Sequence, residues 1–180
     1  PYKKGGIATL IRTILENDKD EKVSYKMHVA RPDSSKLIKL LTVPFITFLF
    51  FLRILLAKVD IVHIHSSENW GFYRYLPFIW FSKKFNKKVI LHSNACEFDQ
   101  FYNRKSSRGK RRISGTLNSC DLIIAVSEEW AEVFKKLTKT PVKVIHNFMY
   151  VPKANYYNLF SKNIITVGQI GKRKGYYDMV

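Results

Sequence analysis

The chain has 180 residues, a length that suits one domain and at most part of a second. Hydrophobic residues make up 46% of it and aromatic residues 14%, which excludes a disordered or low-complexity chain. Lys and Arg number 31 against 14 Asp and Glu, and the net charge of +17 favours anionic partners: phosphorylated ligands, anionic lipid or nucleic acid. Simple solubility is the alternative explanation of this charge.

The two cysteines, Cys96 and Cys120, lie in no CxxC pair, so neither a disulfide framework nor a cysteine zinc site is expected. Reduced thiols suit a cytoplasmic protein. The opening residues, PYKKGG, contain neither an initiator Met nor a signal peptide. They resemble the interior of a loop more than the start of a chain.

The first elements are a helix and a strand. Gly5 and Gly6 precede apolar residues at helical spacing over 7–15, and Asn17 and Asp18 end that helix. Apolar and polar residues then alternate over 23–29, which predicts a half-buried strand.

The segment 40–57 is strongly apolar and contains a single charge, Arg53, and one proline, Pro44. A membrane-spanning helix needs roughly 20 apolar residues, and the uninterrupted apolar run here is shorter. Three alternatives remain: a helix packed against a sheet, a helix lying in the membrane interface, and a spanning helix.

Five further strands and several helices follow. Short apolar runs predict strands at 60–65, 87–93, 121–127 and 141–147, and a fifth run predicts one at 163–168. Helices are predicted at 72–85, 113–119 and 128–137, with another starting at 174, and the segments 93–112 and 148–162 are predicted to be irregular.

This alternation of strands and helices is typical of parallel βαβ units. Continuous runs such as LIIAV predict strands buried on both faces. The predicted fold class is therefore α/β, a Rossmann-like parallel sheet with helices on both faces. Residues 1–147 form the predicted main domain, 148–162 a linker, and 163–180 the first edge of a second domain whose strand stays out of the main sheet.

Polar residues follow the predicted strands, at the edge where ligands bind in open α/β sheets. Histidines stand at three of the five strand ends, at His65, His92 and His146. His92 fits either a polar group directed at a substrate hydroxyl or a ring that closes the strand by bonding to the loop. His63 is predicted to be a core histidine. No HxxxH or HExxH helical spacing occurs, so no metal site is predicted.

Two glycine-containing segments could receive an anion. Gly5 and Gly6 precede a helix whose first N–H groups are free, and the segment GQIGKRKG at 168–175 adds cations to the same arrangement. The latter is neither GxGxxG nor a P-loop, which disfavours dinucleotide and NTPase functions.

These features together resemble the retaining glycosyltransferases of family 4, which have the GT-B fold. The segments that carry the resemblance are Gly5-Gly6, 60–67, 89–102, 120–130, 142–148 and 164–175. The first strand of that family and its Glu-seven-residue-Glu motif have no counterpart in this sequence. The resemblance therefore implies a chain that is truncated at both ends. Gln169 stands where an arginine is usual, and Phe148 where a glycine is common.

The resemblance implies transfer of a sugar, with retention, from a nucleotide diphosphate sugar to a glycan or lipid-linked acceptor. It implies a hexosyltransferase of capsular or other polysaccharide biosynthesis that needs no cofactor or metal. By similarity His92 is the catalytic residue and contacts the transferred sugar. Donor-binding residues would be Gly5, Gly6, Gly168, Gln169, Lys174 and Gly175. Acceptor-side candidates are His65, Glu97 and Ser127. Without the second domain, we expect the chain alone to be inactive.

A different class of function is a non-catalytic module that binds an anionic membrane surface, at the inner face of the membrane. The apolar segment 40–57 suits this function. A basic cluster also suits it: Arg104, Lys105, Arg108, Lys110, Arg111 and Arg112. A solvated basic face is the plainer explanation of that cluster. The sequence contains no RRM, OB or helix-turn-helix signature, so nucleic acid is not an expected partner.

Overall fold

The computed structural model describes residues 5–18, 20–30, 35–148, 160–162 and 177. The chain divides into two compact units, Pro1–Met149 and Tyr150–Val180, and the fold described below belongs to the first. The predicted strand at 163–168 and the helix from 174 lie outside the described residues, as does most of the predicted linker.

Seven helices and four strands make up the described part of the chain. In chain order they are α1 (Gly6–Asn17), α2 (Lys36–Leu56), β1 (Ile61–Ser66), α3 (Trp70–Tyr73), α4 (Leu76–Lys84), β2 (Lys88–Ser93), α5 (Phe98–Asn103), α6 (Ser107–Ser119), β3 (Leu122–Ala125), α7 (Glu128–Leu137) and β4 (Val142–Val144). The strands form one parallel sheet in the order β1-β2-β3-β4. The predicted α/β class with a parallel Rossmann-like sheet is confirmed.

The core is centred on the inner strands β2 and β3. Val89 and Leu91 of β2 and Ile123 of β3 are almost completely buried, and aromatic rings from the helices pack around them. β1 differs, because its residues alternate between exposed and buried. The expectation that every strand is buried on both faces is therefore wrong for β1, which occupies one end of the strand order.

The first helix begins and ends where the sequence predicts. Gly5 precedes α1 with a φ of 151°, a backbone conformation that favours glycine. Asp18 follows its last residue, and the Asp18 N–H donates to the carbonyl of Ile14. Of the apolar face, Leu10 is buried.

The strand predicted at 23–29 does not form. The apolar side chains of this segment, Val23, Tyr25, Met27 and Val29, are exposed. Alternation alone does not make a strand, because the backbone also needs a neighbouring strand with which to pair. Two side-chain contacts attach the segment to α2 instead. The ring of His28 lies 5.2 Å from that of Phe50, and Arg53 Nη1 donates to the carbonyl of Met27 at 2.9 Å.

The apolar segment forms α2, which packs through one face. Ser35 accepts a hydrogen bond from the Ile38 N–H and caps the helix. Phe50 and Ile54 are buried, and the ring of Phe50 lies 4.7 Å from that of Phe78 in α4. Among the described residues, no helix combines the length and apolarity that crossing a membrane requires.

Two predictions for the middle of the chain need correction. The single helix predicted at 72–85 is two helices, α3 and α4, because Pro77 lies in the first turn of α4 and starts a new helix there. The loop predicted at 93–112 contains α5 and the first half of α6. Ser106 caps α6, and that polar first half hides the apolar periodicity that appears only from Ile113 onward.

Candidate functional site

The carboxyl ends of β1 and β2 bring their polar residues together. The two strands run parallel with His65 opposite His92 and Ser66 opposite Ser93. The loop after β2 closes onto β1, since the Asn94 N–H donates to the carbonyl of Ser66 at 2.8 Å. Because side chains alternate along a strand, the two histidines point to one face of the sheet and the two serines to the other.

A third histidine joins this face. His63 lies two residues before His65 on β1 and therefore points the same way. Its ring centroid lies 4.5 Å from that of His65 and 5.5 Å from that of His92, with the His63 and His92 rings nearly parallel. The His65 and His92 centroids are 4.6 Å apart. The described part of the chain thus contains a cluster of three stacked imidazoles, which we call the histidine cluster.

All three rings favour the neutral form. Burial lowers the pKa of His65 to about 3, with smaller contributions from the neighbouring His63 and His92. Burial and then His63 lower the pKa of His92 to about 4. Desolvation also lowers the pKa of His63. At neutral pH each ring is an uncharged imidazole with one N–H donor and one lone pair.

His92 is enclosed without a protein partner. Its side chain is 3% exposed, and neither of its ring nitrogens forms a hydrogen bond within the described residues. A buried polar group without a partner costs stability, and the neutral ring keeps an unused donor and an unused acceptor at this position. The Nδ2 of Asn94 donates to the carbonyl of His92 at 3.4 Å and lies 3.5 Å from Nδ1 of His65, so this side chain bridges the two strand ends.

The interpretation of His63 as a core histidine is wrong, because its side chain is exposed. The face of β1 that carries Ile61 and His63 is the open one, whereas Val62 and Ile64 face the core. Sequence analysis missed the cluster because it considered only helical metal motifs. The available signal was the H-x-H alternation on one strand, followed by a histidine near the end of the next.

The three acceptor-side candidates do not lie together. Only His65 belongs to the histidine cluster. Ser127 precedes α7, and its hydroxyl accepts a hydrogen bond from the Trp130 N–H at 3.3 Å, so it is a helix cap. Glu97 precedes α5, and among the described residues no hydrogen bond or ion pair joins its carboxylate to the histidines.

The donor-binding candidates are only partly described. Gly5 and Gly6 stand at the start of α1, where a Cβ on either would meet no atom within 4 Å. Within the described residues there is therefore room beside these two glycines. Gly168, Gln169, Lys174 and Gly175 lie outside the described residues.

The parallel sheet, with its polar strand ends, coincides with a match to a known protein family. The family model described as Glycosyltransferase Family 4 matches residues 12–150 of the chain. The chain belongs to glycosyltransferase family 4. No curated protein and no solved structure shows significant similarity to it.

Membership of family 4 implies glycosyltransferase activity, with a nucleotide sugar and an acceptor as substrates. The match spans every described strand and all of the histidine cluster. The cluster therefore lies within the part of the chain that defines the family 4 domain.

Proposed function

We propose that this family 4 chain acts in the retaining transfer of a hexosyl group from a nucleotide diphosphate sugar to a hydroxyl of a glycan or lipid-linked acceptor. In this reaction the bond from the anomeric carbon to the diphosphate oxygen breaks. A bond to the acceptor oxygen forms on the same face of the sugar, and the acceptor proton leaves with the diphosphate. The observation that carries the proposal is the burial of His92, with both ring nitrogens unpaired, at a strand end of the family 4 domain.

His92 suits contact with the transferred sugar. Because burial holds its pKa near 4, the ring stays neutral at physiological pH and can both donate and accept a hydrogen bond. Sugar hydroxyls need such a partner, and a buried imidazole can hold one in a fixed position. His65, opposite His92 in register, is the natural second contact on the acceptor side.

Charge on the departing diphosphate needs fixed positive partners. The start of α1 offers free backbone N–H groups, and the open space at Gly5 and Gly6 lets a phosphate approach the backbone. We propose that these N–H groups stabilise the leaving diphosphate without a metal ion. Separately, and from the sequence alone, we propose Gly168, Gln169, Lys174 and Gly175 as residues that bind the nucleotide sugar.

The test is substitution of His92 in the enzyme that contains this chain. We expect His92→Ala to lower kcat by roughly 10²-fold or more, the usual loss for a positioned proton-transfer or hydrogen-bonding group. His146→Ala is the matched control, since His146 is an exposed histidine whose Nδ1 lies 3.1 Å from the carbonyl of Val126. Near-normal turnover in a folded His92→Ala variant would show that His92 is not the catalytic residue and has a structural role.

A lipid-linked acceptor at the inner face of the membrane is favoured by the exposed face of α2. Its outward apolar side chains include Leu41, Phe45, Phe48 and Leu56. Apolar side chains on one helix face can enter the boundary between headgroups and acyl chains, where a lipid-carried glycan would be presented. We propose polysaccharide biosynthesis at the cytoplasmic membrane surface as the setting of the reaction.

A further inference from the structure

The histidine cluster offers three nitrogen ligands from two adjacent strands. One ring nitrogen each from His63, His65 and His92 can be chosen so that all three lie within 4.8 Å of one another. In a tetrahedral site with Zn–N bonds of 2.0–2.1 Å, ligand nitrogens stand about 3.4 Å apart. Side-chain rotations that move the nitrogens by less than about 2 Å would therefore close the site.

The chemistry of the cluster selects a class of metal. Uncharged imidazoles suit borderline transition metals such as Zn²⁺, Co²⁺, Ni²⁺ and Cu²⁺, whereas Mg²⁺ and Ca²⁺ require oxygen ligands. The group contains no carboxylate.

One neighbouring feature supports coordination. The buried His92 has both ring nitrogens without a protein partner among the described residues, so a lone pair is available to an ion. The Nδ2 of Asn94 lies 3.5 Å from Nδ1 of His65, which marks Nδ1 as the ring nitrogen of His65 that carries a lone pair and could bind the ion in place of this contact.

We propose that His63, His65 and His92 form a three-histidine binding site for a transition-metal dication of the Zn²⁺ class. The exposed side of His63 leaves the fourth coordination position open to water or to a ligand oxygen. The site does not depend on the proposed sugar transfer. Because the two functions share His92, a bound ion would compete with a sugar for that ring.

The test is calorimetric titration of ZnCl₂ into the tag-free, chelator-treated chain, with CoCl₂ titration followed by visible absorption. We expect one Zn²⁺ per chain and the intense d–d bands of four-coordinate Co²⁺, and no heat with MgCl₂. His63→Ala should weaken Zn²⁺ binding by more than the roughly 10- to 100-fold loss of affinity that is typical when an outer-sphere partner is removed. Since His63 is exposed, this variant should keep the fold, which circular dichroism checks.

Two controls separate the cluster from other metal-binding groups. Cys96 is an exposed thiol and His146 an exposed histidine outside the cluster, so Cys96→Ser and His146→Ala should leave the Zn²⁺ affinity unchanged. Absence of Zn²⁺ binding, octahedral-type Co²⁺ spectra, or equal affinity in a folded His63→Ala variant would overturn the proposal. None of these readouts depends on sugar transfer, so a failed transfer assay would leave the result intact.

Discussion

Asp121 and Val89 exchange two hydrogen bonds at the start of β2. The Val89 N–H donates to Oδ2 of Asp121 at 2.7 Å, and the Asp121 N–H donates to the carbonyl of Val89 at 2.9 Å. Lys83 and Lys88 also reach the carboxylate, at 2.7 and 3.3 Å. Burial alone would raise the pKa of Asp121, but these hydrogen bonds outweigh it and the pKa is lowered. One carboxylate thus connects α4, β2 and the turn before β3.

Removing that carboxylate should destabilise the fold. In Asp121→Ala the fully buried Val89 loses its N–H partner, and we expect the free energy of unfolding to fall by about 1–3 kcal/mol. Asp121→Asn keeps an acceptor oxygen and should lose less. Urea denaturation measures both, with Glu132→Gln as a control, because Glu132 forms an exposed ion pair with Lys135. Equal midpoints for Asp121→Ala and the wild type would refute this role.

The position of His28 predicts a pH dependence of stability. Its ring lies 5.2 Å from that of Phe50 and 5.8 Å from that of Phe78, and burial, followed by repulsion from Arg53, lowers its pKa below 6.5. A backbone hydrogen bond with Ile46 opposes the shift. At this ring the unfolded chain therefore binds a proton more readily than the folded chain does. The contribution of His28 to stability is fully present above about pH 6.5 and is lost as the pH falls below that value.

Replacement with an uncharged ring should remove this contribution. We expect His28→Phe to show a smaller decrease in the unfolding midpoint between pH 7 and pH 5 than the wild type, measured by thermal denaturation in the presence of a chelator. An unchanged decrease in His28→Phe would show that other groups account for the whole effect.

Two phenylalanines of α2 should differ sharply in their effect on stability. Phe50 is 6% exposed and packs on Phe78, whereas Phe45 is 60% exposed. Phe50→Ala should lower the free energy of unfolding by about 3–5 kcal/mol through lost burial and a cavity. Phe45→Ala is the matched control and should change it by about 0.5 kcal/mol or less. Similar losses in both variants would contradict the packing of α2.

The same exposed face predicts membrane binding. We expect the chain to co-sediment with anionic phospholipid vesicles more than with neutral ones, and salt to weaken the binding. Polybasic segments contribute on the order of 1 kcal/mol per Lys or Arg near such a surface. Phe45→Ser should reduce the bound fraction through α2, and Arg111→Glu should reduce it through the basic cluster. Equal sedimentation with neutral and anionic vesicles would show that electrostatic attraction does not contribute to membrane binding.

Much of the fold could be predicted because its signals are local. The runs around Val89 and Ile123 are short, apolar and bounded by polar residues, so both inner strands were placed correctly from sequence. The strand at 23–29 could not be judged in this way, since pairing depends on a neighbour that alternation does not show. α5 and the start of α6 were missed because their polar residues resemble a loop.

The candidate site was only half predictable. Position at a strand end indicated His65 and His92 individually, and their register brings them together. The place of His63 depends on which face of β1 is covered, a tertiary property that the run DIVHI does not reveal. Ser127 stood at a correctly predicted strand end, but its hydroxyl caps α7.

The pairing of His65 with His92 determines how the same cluster could be recognised in other sequences. The ladder between β1 and β2 sets the distance between the two rings, so the connecting segment 67–87 can lengthen or shorten without moving them. A search pattern with a fixed number of residues between the histidines would therefore overlook relatives that share the cluster. The transferable signature is an H-x-H strand followed by a strand with histidine at the matching register. A one-residue slip of either strand would erase the cluster while leaving the composition of the sequence unchanged.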